Sequence, residues 1–277
     1  MKEINVRIKS ITGTSKITKA MELVAISKLT KALDRITKCR PFYTELYSQL
    51  CDIAASSTAP DSGYCRARAV KKTCIIAIAG DRGLAGGYNN NLFKYCEELI
   101  KDKNAAILPI GKRALDHFSR RGYEIISDDY AVCEDVEVGD CFEISRLLTD
   151  MYMGGEVDEI YVVYTNFASM LSQNPGSLKL LPLDAQISSG EASKRYILIE
   201  PSPASVFDHI VPDSLAGLIW GAVCESHASE LAARRIAMEN ATSNAEDIIA
   251  DLQLKYNKAR KSSITQQITE IVSGSQS

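Results

Sequence analysis

The sequence lacks the features of several large classes of protein. It has no apolar run of 18 residues that could cross a membrane, and its start, MKEINVRIKS, lacks the apolar core of a signal peptide. The start is also unlike the Ser/Arg-rich, acid-poor leader of an imported organelle protein, so a bacterial cytosolic location is expected. The cysteines form no CxxC pair and have no histidine at metal-ligand spacing, which predicts free thiols in a reducing compartment.

Catalytic motifs are scarce as well. The three histidines, His117, His209 and His227, occur in unrelated contexts, and no GxSxG segment is present. The glycine-rich segment from Gly80 to Asn91 fits neither GxGxxG nor GxxxxGK[ST], so we interpret it as a tight turn between a strand and a helix. The sequence therefore predicts no catalytic residue, cofactor or metal site, with a nucleotide-binding Rossmann-type enzyme as the alternative.

Proline is absent from Asp213 to Ser273, and the only glycines there are Gly217 and Gly221. Read as one helix at about 1.5 Å per residue, this stretch spans roughly 90 Å. A compact domain of the whole chain would be only about 50 Å across, so such a helix needs a long partner.

The N-terminal segment supplies that partner. Apolar residues recur there at steps of three and four, which predicts an amphipathic helix. They are Ile17, Ala20, Met21, Val24, Ala25, Leu29, Leu33 and Ile36. Residues 1–42 carry a net charge of about +7 and residues 204–277 about −3, which favours an antiparallel pair of helices. A scaffold or nucleic-acid binder is the alternative, but the net charge of −3 argues against nucleic acid.

Between the helices, short apolar runs alternate with segments of helical periodicity. Strands are predicted at TCIIAIAG, AAILPIG, YEIIS, EIYVVYTNF and YILIEP, and helices at NNNLFKYCEELIKDK, KRALDHFSRRG and CFEISRLLTDMYMGG. This alternation predicts a Rossmann-like α/β domain with a mostly parallel sheet. The predicted domains are residues 1–56, 57–204 and 205–277.

The C-terminal helix changes character along its length. From His227 to Glu246 it is rich in Ala, Ser, Asn and Thr, which predicts a slim contact with the N-terminal helix. Near the end, Ile264, Ile268 and Ile271 continue an apolar stripe that we expect to outrun the N-terminal helix. An apolar tip of this kind indicates burial inside another protein.

Three motifs, KITKAMELVAISKL (16–29), DRGLAGGYNNNLF (81–93) and LKYNKARKSSITQQITEIVSG (254–274), resemble the gamma subunit of rotary F-type ATP synthases. The resemblance covers essentially the whole chain. It implies a non-catalytic central stalk that transmits torque and couples proton or sodium flow to ATP synthesis and hydrolysis. The implied partners are the alpha and beta subunits of the catalytic hexamer, the epsilon subunit and the membrane c-ring, at the cytoplasmic face of the cell membrane.

The resemblance also implies contact residues. Arg260 would hydrogen-bond the catalytic subunits near the top of the shaft, and Lys16 and Lys19, beside Met21, would face an acidic lever of the beta subunits. Glu200 would lie at the ring-facing foot. Lys261 and Gln267 stand where Gln and Glu are familiar in the family, so this chain's contacts with the hexamer depart from the pattern there. No insertion like that of the chloroplast subunit is present, and no nucleic acid or direct small-molecule substrate is implied.

Overall fold

The computed structural model describes residues 1–55, 62–66, 68–101, 103–183 and 203–274. A long helix opens and a longer one closes these residues, with an α/β region between them. The elements are α1 (Lys2–Ala55), β1 (Thr73–Ile78), α2 (Tyr88–Leu99), β2 (Ala105–Ile110), α3 (Lys112–Arg120), β3 (Glu124–Ile125), α4 (Val138–Met153), β4 (Glu159–Phe167), β5 (Gln173–Leu181) and α5 (Pro203–Gly274). The predicted order of long helix, α/β region and long helix is confirmed.

The strands form one sheet in the order β3-β2-β1-β4-β5. The first four strands are parallel, and β5 runs antiparallel to β4 at one edge. All six residues of β1 and of β2 are buried, as expected for strands with helices on both faces. The mostly parallel sheet predicted from the sequence is therefore confirmed.

Successive residues of β1 point to opposite faces of the sheet and enter two separate cores. Ile75 and Ala77 pack with α2 and α3, where Phe93 and Phe118 contribute the largest side chains. Cys74, Ile76 and Ile78 enter the other core. There they meet α4 and α5, whose largest buried contributors are Ile144, Leu148, Tyr152, Phe207 and Ile219. The sheet is thus covered on both sides by helices.

Strand β5 was not predicted from the sequence. Its residues QNPGSLKLL include Asn174, Pro175 and Gly176, which are depleted in strands and break the apolar pattern. It is tolerated because it lies at an edge, where β4 alone supplies its partners, from Phe167 opposite Gln173 to Ile160 opposite Leu181. The strand predicted at YILIEP lies outside the described residues.

The chain divides into two compact units. One unit comprises Met1–Ser27 with Arg234–Ser277, and the other is Lys28–Ala233. Helices α1 and α5 each contribute residues to both units. The division into residues 1–56, 57–204 and 205–277 stays a prediction. Helix α5 begins at Pro203 and continues through Pro212, so it starts earlier than the proline-free stretch that first revealed it.

Within the Lys28–Ala233 unit, α1 and α5 pack in antiparallel register. Tyr43 lies against Gly221, and one turn further along α1 Leu46 lies against Gly217. A Cβ added to Gly221 would lie 2.5 Å from the Tyr43 ring, whereas one added to Gly217 would meet Leu46 at an ordinary 3.4 Å. The absence of a side chain at Gly221 therefore sets how closely the two helices approach.

This difference predicts opposite effects of two identical substitutions. Gly221→Ala should lower the free energy of unfolding by about 1–3 kcal/mol, because the methyl group forces the Tyr43 ring or the helix to move. Gly217→Ala is the matched control, and it should raise stability by about 0.5–1 kcal/mol because alanine favours the helix. Urea unfolding of both variants measures the difference, and equal effects would contradict the packing argument.

Candidate functional site

The predicted contact residues of the long helices lie mainly at the surface of the unit formed by Met1–Ser27 and Arg234–Ser277. Lys16 and Lys19 are exposed on α1, and Met21 is half-buried. Lys19 is already engaged, because its ammonium group lies 3.0 Å from the carboxylate of the buried Glu22. These residues share two turns of one helix, so the structure places them together.

The other predicted contacts lie on α5. Arg260 and Lys261 are adjacent and exposed, and Gln267 is exposed two turns further along the helix. Their side chains are therefore available to a partner. Glu200, the predicted contact at the foot, lies outside the described residues.

The contact between α1 and α5 in this unit includes small side chains, some of which are polar. The hydroxyl groups of Thr18 and Thr242 lie 2.8 Å apart, and the Thr242 hydroxyl also lies 2.9 Å from the carbonyl oxygen of Met238. Ala25 and Ala245 are buried as well. Small residues allow helix backbones to approach closely. This packing agrees with the slim contact predicted from the composition of His227 to Glu246.

Large apolar side chains of the same unit are exposed to solvent. On α5, Ile264, Ile268 and Ile271 are 42%, 56% and 72% exposed and follow one face at steps of four and three. On α1, Leu23 and Val24 are also more than half exposed. Several large apolar side chains exposed along one helix face are typical of an interaction site and unusual for a solvated face.

In the Lys28–Ala233 unit, one buried carboxylate joins three elements. Glu225 of α5 is 5% exposed, and its Oε1 accepts hydrogen bonds from Nε and Nη2 of Arg40 at 3.1 and 2.9 Å. The same oxygen accepts a hydrogen bond from the hydroxyl of Tyr43, and Oε2 accepts one from the backbone N–H of Phe167 at 3.3 Å. Arg40 also donates to the Phe167 carbonyl oxygen. Glu225 thus connects α1, α5 and the end of β4.

The electrostatics of this cluster follow from its burial. Burial, followed by the hydrogen bond to Glu225, raises the pKa of Tyr43, so its hydroxyl stays a donor. Sequence reasoning missed the cluster, although a signal existed: Glu225 is a carboxylate within the largely apolar run IWGAVCES, and Arg40 lies on the oppositely charged helix. The Arg40–Glu225 pair is a buried example of the charge complementarity predicted for the two helices.

Helix α5 also binds the carboxyl ends of the central strands. The hydroxyl of Ser226 donates to the carbonyl oxygen of Ile78, the last residue of β1, at 3.1 Å. The hydroxyl of Ser229, one turn later, donates to the carbonyl oxygen of Thr165 near the end of β4 at 3.0 Å. Both serines are fully buried. Strands β1 and β4 are parallel neighbours, but the chain goes from β1 to β2 on one side and from β4 to β5 on the other. The space at their carboxyl ends is therefore the topological switch point, where doubly wound folds bind ligands. Here α5 occupies it.

The glycine-rich turn joins β1 to α2 as predicted, and its polar groups serve the fold. The Asp81 carboxylate accepts hydrogen bonds from the backbone N–H groups of Lys112, Cys133 and Glu134 at 2.8–3.2 Å. The Asn89 side chain accepts one from the N–H of Gly80 at 3.0 Å. These groups therefore have structural partners.

The turn also packs against α5. A Cβ at Gly80 would lie 2.5 Å from the carboxylate of Glu230, so glycine permits the contact. The Tyr88 hydroxyl lies 2.6 Å from the hydroxyl of Ser226 and donates to its carbonyl oxygen. Gly80 thus lets the strand-to-helix turn approach the long helix closely.

A cleft of about 480 Å³ lies between this turn and α3, lined in part by Arg113 and His117. The His117 ring stacks on Phe93 and its Nε2 lies 2.9 Å from the Glu97 carboxylate, while burial lowers its pKa. Among the residues that the structure describes, no group of three His, Cys, Asp or Glu side chains could hold a metal ion.

No helix in the described part of the chain has the length and apolar character needed to cross a membrane.

Comparison with known proteins gives consistent matches over the full length. The family model described as ATP synthase matches residues 1–277. The ATP synthase gamma chain of Alkaliphilus metalliredigens is 40% identical over 282 residues, covering 100% of this chain and 98% of that protein. The sodium-ion-specific gamma chain of Acetobacterium woodii is 38% identical and covers 100% and 98%.

A solved structure has a similar fold. The central stalk and c-ring structure of the Tetrahymena thermophila mitochondrial ATP synthase contains a chain that matches with a TM-score of 0.61 at 23% identity. The match covers 81% of this chain and 99% of that one.

The buried carboxylate generates a stability prediction. Glu225→Gln should lower the free energy of unfolding by about 1–3 kcal/mol, because Arg40 loses its counter-ion while the backbone of Phe167 keeps a weaker acceptor. Asp251→Asn is the control, since Asp251 forms an exposed pair with Lys255 on the same helix and should cost at most about 1 kcal/mol. Denaturant unfolding of both variants measures the costs, and a loss at Glu225 no larger than the control would refute the assignment.

Proposed function

The chain belongs to the family of ATP synthase gamma chains, and from this premise we propose how its two units divide the work of a rotor. It is the central shaft of an F-type ATP synthase, which transmits torque between ion flow through the membrane sector and ATP synthesis or hydrolysis. The observation that carries this function is 40% identity to a gamma chain across the full length of both proteins. The coupling ion is a proton or sodium, and one matching relative is named sodium-ion specific.

The unit of Met1–Ser27 and Arg234–Ser277 is the part that we assign to the catalytic hexamer of alpha and beta subunits. A partner's equilibrium shifts only when contacts differ between its conformations. This unit offers such differences, because cationic Lys16 and Lys19 lie on one helix and the apolar Ile264, Ile268 and Ile271 on the other. As this uneven surface turns, each catalytic site would meet a different set of side chains.

The Lys28–Ala233 unit is the part that we assign to the foot, beside the epsilon subunit and above the c-ring. Torque that enters the sheet must reach the helices through lateral contacts. Glu225 ties α5 to α1 and β4, while Ser226 and Ser229 tie it to the ends of β1 and β4. The proposed foot contact at Glu200 lies outside the described residues.

The proposed role is non-catalytic, and the filled switch point supports it. In doubly wound folds the crevice at the carboxyl ends of the strands receives the ligand. In this chain the side chains of Ser226 and Ser229 fill that position, and their hydroxyl groups donate hydrogen bonds to strand carbonyl oxygens. We place the protein at the cytoplasmic face of the membrane, attached through the other subunits.

The decisive experiment is a native mass spectrum of the tagged chain purified from its source, with ATPase activity assayed on the same eluate. One copy bound to three alpha and three beta subunits, with ATPase activity, is the expected result. A lone or self-associated chain without ATPase activity would contradict the shaft and favour the enzyme or scaffold alternatives.

A substitution on α5 tests the contact with the hexamer. Arg260→Ala should reduce ATP-driven ion pumping of the reconstituted complex by roughly tenfold or more, because a charge-assisted hydrogen bond to a partner contributes about 1.5–3 kcal/mol. Lys258→Ala is the matched control, since Lys258 is exposed on the same helix but lies about 160° around the helix axis from Arg260, on the opposite face. Wild-type pumping by the Arg260→Ala complex, or equal loss in the control, would exclude Arg260 as a specific contact.

A further inference from the structure

Two free thiols meet in the antiparallel contact of α1 and α5 inside the Lys28–Ala233 unit. Cys39 and Cys224 are both unoxidised, and the Cys39 side chain lies close enough to Cys224 to contribute, after burial, to the raised pKa of the Cys224 thiol. Cys224 is only 4% exposed and belongs to a cluster with Ile36 and Ala228. Cys39 is half-buried and lines an open groove of about 420 Å³. One thiol is therefore sheltered and the other can be reached from solvent.

The register of the two helices explains why these thiols face each other. Because the helices are antiparallel, steps forward on α1 match steps back on α5: Leu46 lies against Gly217, and the same spacing sets Cys39 opposite Cys224, beside the Arg40–Glu225 pair. One turn away, Tyr43 lies so close to Gly221 that no side chain fits there. A disulfide requires Cα atoms about 4.4–6.8 Å apart, which facing positions of ordinary helix pairs do not reach without small residues. The glycine and the buried ion pair hold the helices in a close approach at this level.

We propose that Cys39 and Cys224 are a reversible disulfide site that locks α1 to α5. The oxidant is a low-molecular-weight disulfide, which enters from the groove beside Cys39. The bond lies within one chain, so a locked shaft still rotates as one body. The disulfide instead raises the free energy that is needed to separate α1 from α5.

The exchange balances in two steps. The Cys39 thiolate attacks one sulfur of the small disulfide, which breaks its S–S bond and releases one small thiolate that takes up a proton. The Cys224 thiol then loses its proton and attacks the Cys39 sulfur, which forms the protein disulfide and releases the second small thiol. Two cysteine thiols are oxidised by two electrons, and one small disulfide is reduced to two thiols.

The surroundings set the order of these steps. Burial raises the pKa of Cys224 to about 12, so Cys224 acts second, when the adjacent mixed disulfide is already in place. Cys133 and Cys141 lie in the neighbouring core, but both are buried and burial raises the pKa of each. Cys39 combines access from the groove with contact to Cys224.

The test treats the folded full-length chain with oxidised glutathione and maps disulfides by non-reducing digestion and mass spectrometry. A peptide that links Cys39 to Cys224 is expected, together with a thermal midpoint at least about 5 °C higher, because the bond closes a very long loop in the unfolded chain. Dithiothreitol should reverse both changes.

Two variants make the test specific. Cys39→Ser should abolish both the linked peptide and the thermal shift. Cys65→Ser should preserve both, since Cys65 is another half-buried free thiol of the same unit. A stable glutathione adduct on Cys39 without the linked peptide would overturn the proposal. A bond from Cys224 to Cys141, or a thermal shift that survives Cys39→Ser, would overturn it as well.

Discussion

The close approach of α1 and α5 is the constraint on which the Lys28–Ala233 unit depends. Gly221 removes the side chain that would hold Tyr43 away, and Glu225 then reaches Arg40, Tyr43 and the backbone of Phe167 together. A carboxylate so deeply buried is tolerated only when charge and hydrogen bonds surround it. If the helices separated locally, the Glu225 carboxylate would lose its hydrogen bonds to Arg40 and Tyr43. Helix pairing and sheet packing therefore form one cooperative arrangement.

The same helix covers the edge of the sheet at which folds of this class usually carry out their chemistry. Folds of this class usually leave a crevice where the strand order reverses, and loops there bind ligands. In this chain α5 runs across that edge and takes the carbonyl groups of Ile78 and Thr165 as hydrogen-bond acceptors. The first glycine of the turn after β1 follows from the same geometry, since Gly80 makes room for Glu230. A pattern that suggests phosphate binding therefore serves close packing against a shaft.

Much of the fold could be predicted because its signals are local. The continuous apolar run at Thr73–Ile78 predicts a strand buried on both faces, and the step-of-three-and-four pattern from Ile17 to Ile36 predicts the first helix. Strand β5 could not be predicted, because Pro175 and Gly176 are acceptable only at an edge beside β4. The partners of Glu225 could not be predicted either, because they depend on the register of two helices that lie far apart in sequence. The contacts proposed for Lys16, Arg260 and Gln267 would be made with other chains, so their geometry follows neither from the sequence pattern nor from this fold alone.

The exposed isoleucines at positions 264, 268 and 271 also bear on the life of the protein before assembly. Chaperones and proteases recognise apolar surface that folded partners normally cover. An unassembled copy carries such a stripe permanently, even when every helix and strand is correctly formed. With the proposed burial of this stripe in the hexamer, cellular quality control could distinguish orphan copies from assembled ones without any unfolding, and the supply of this chain would be tied to that of its partner subunits.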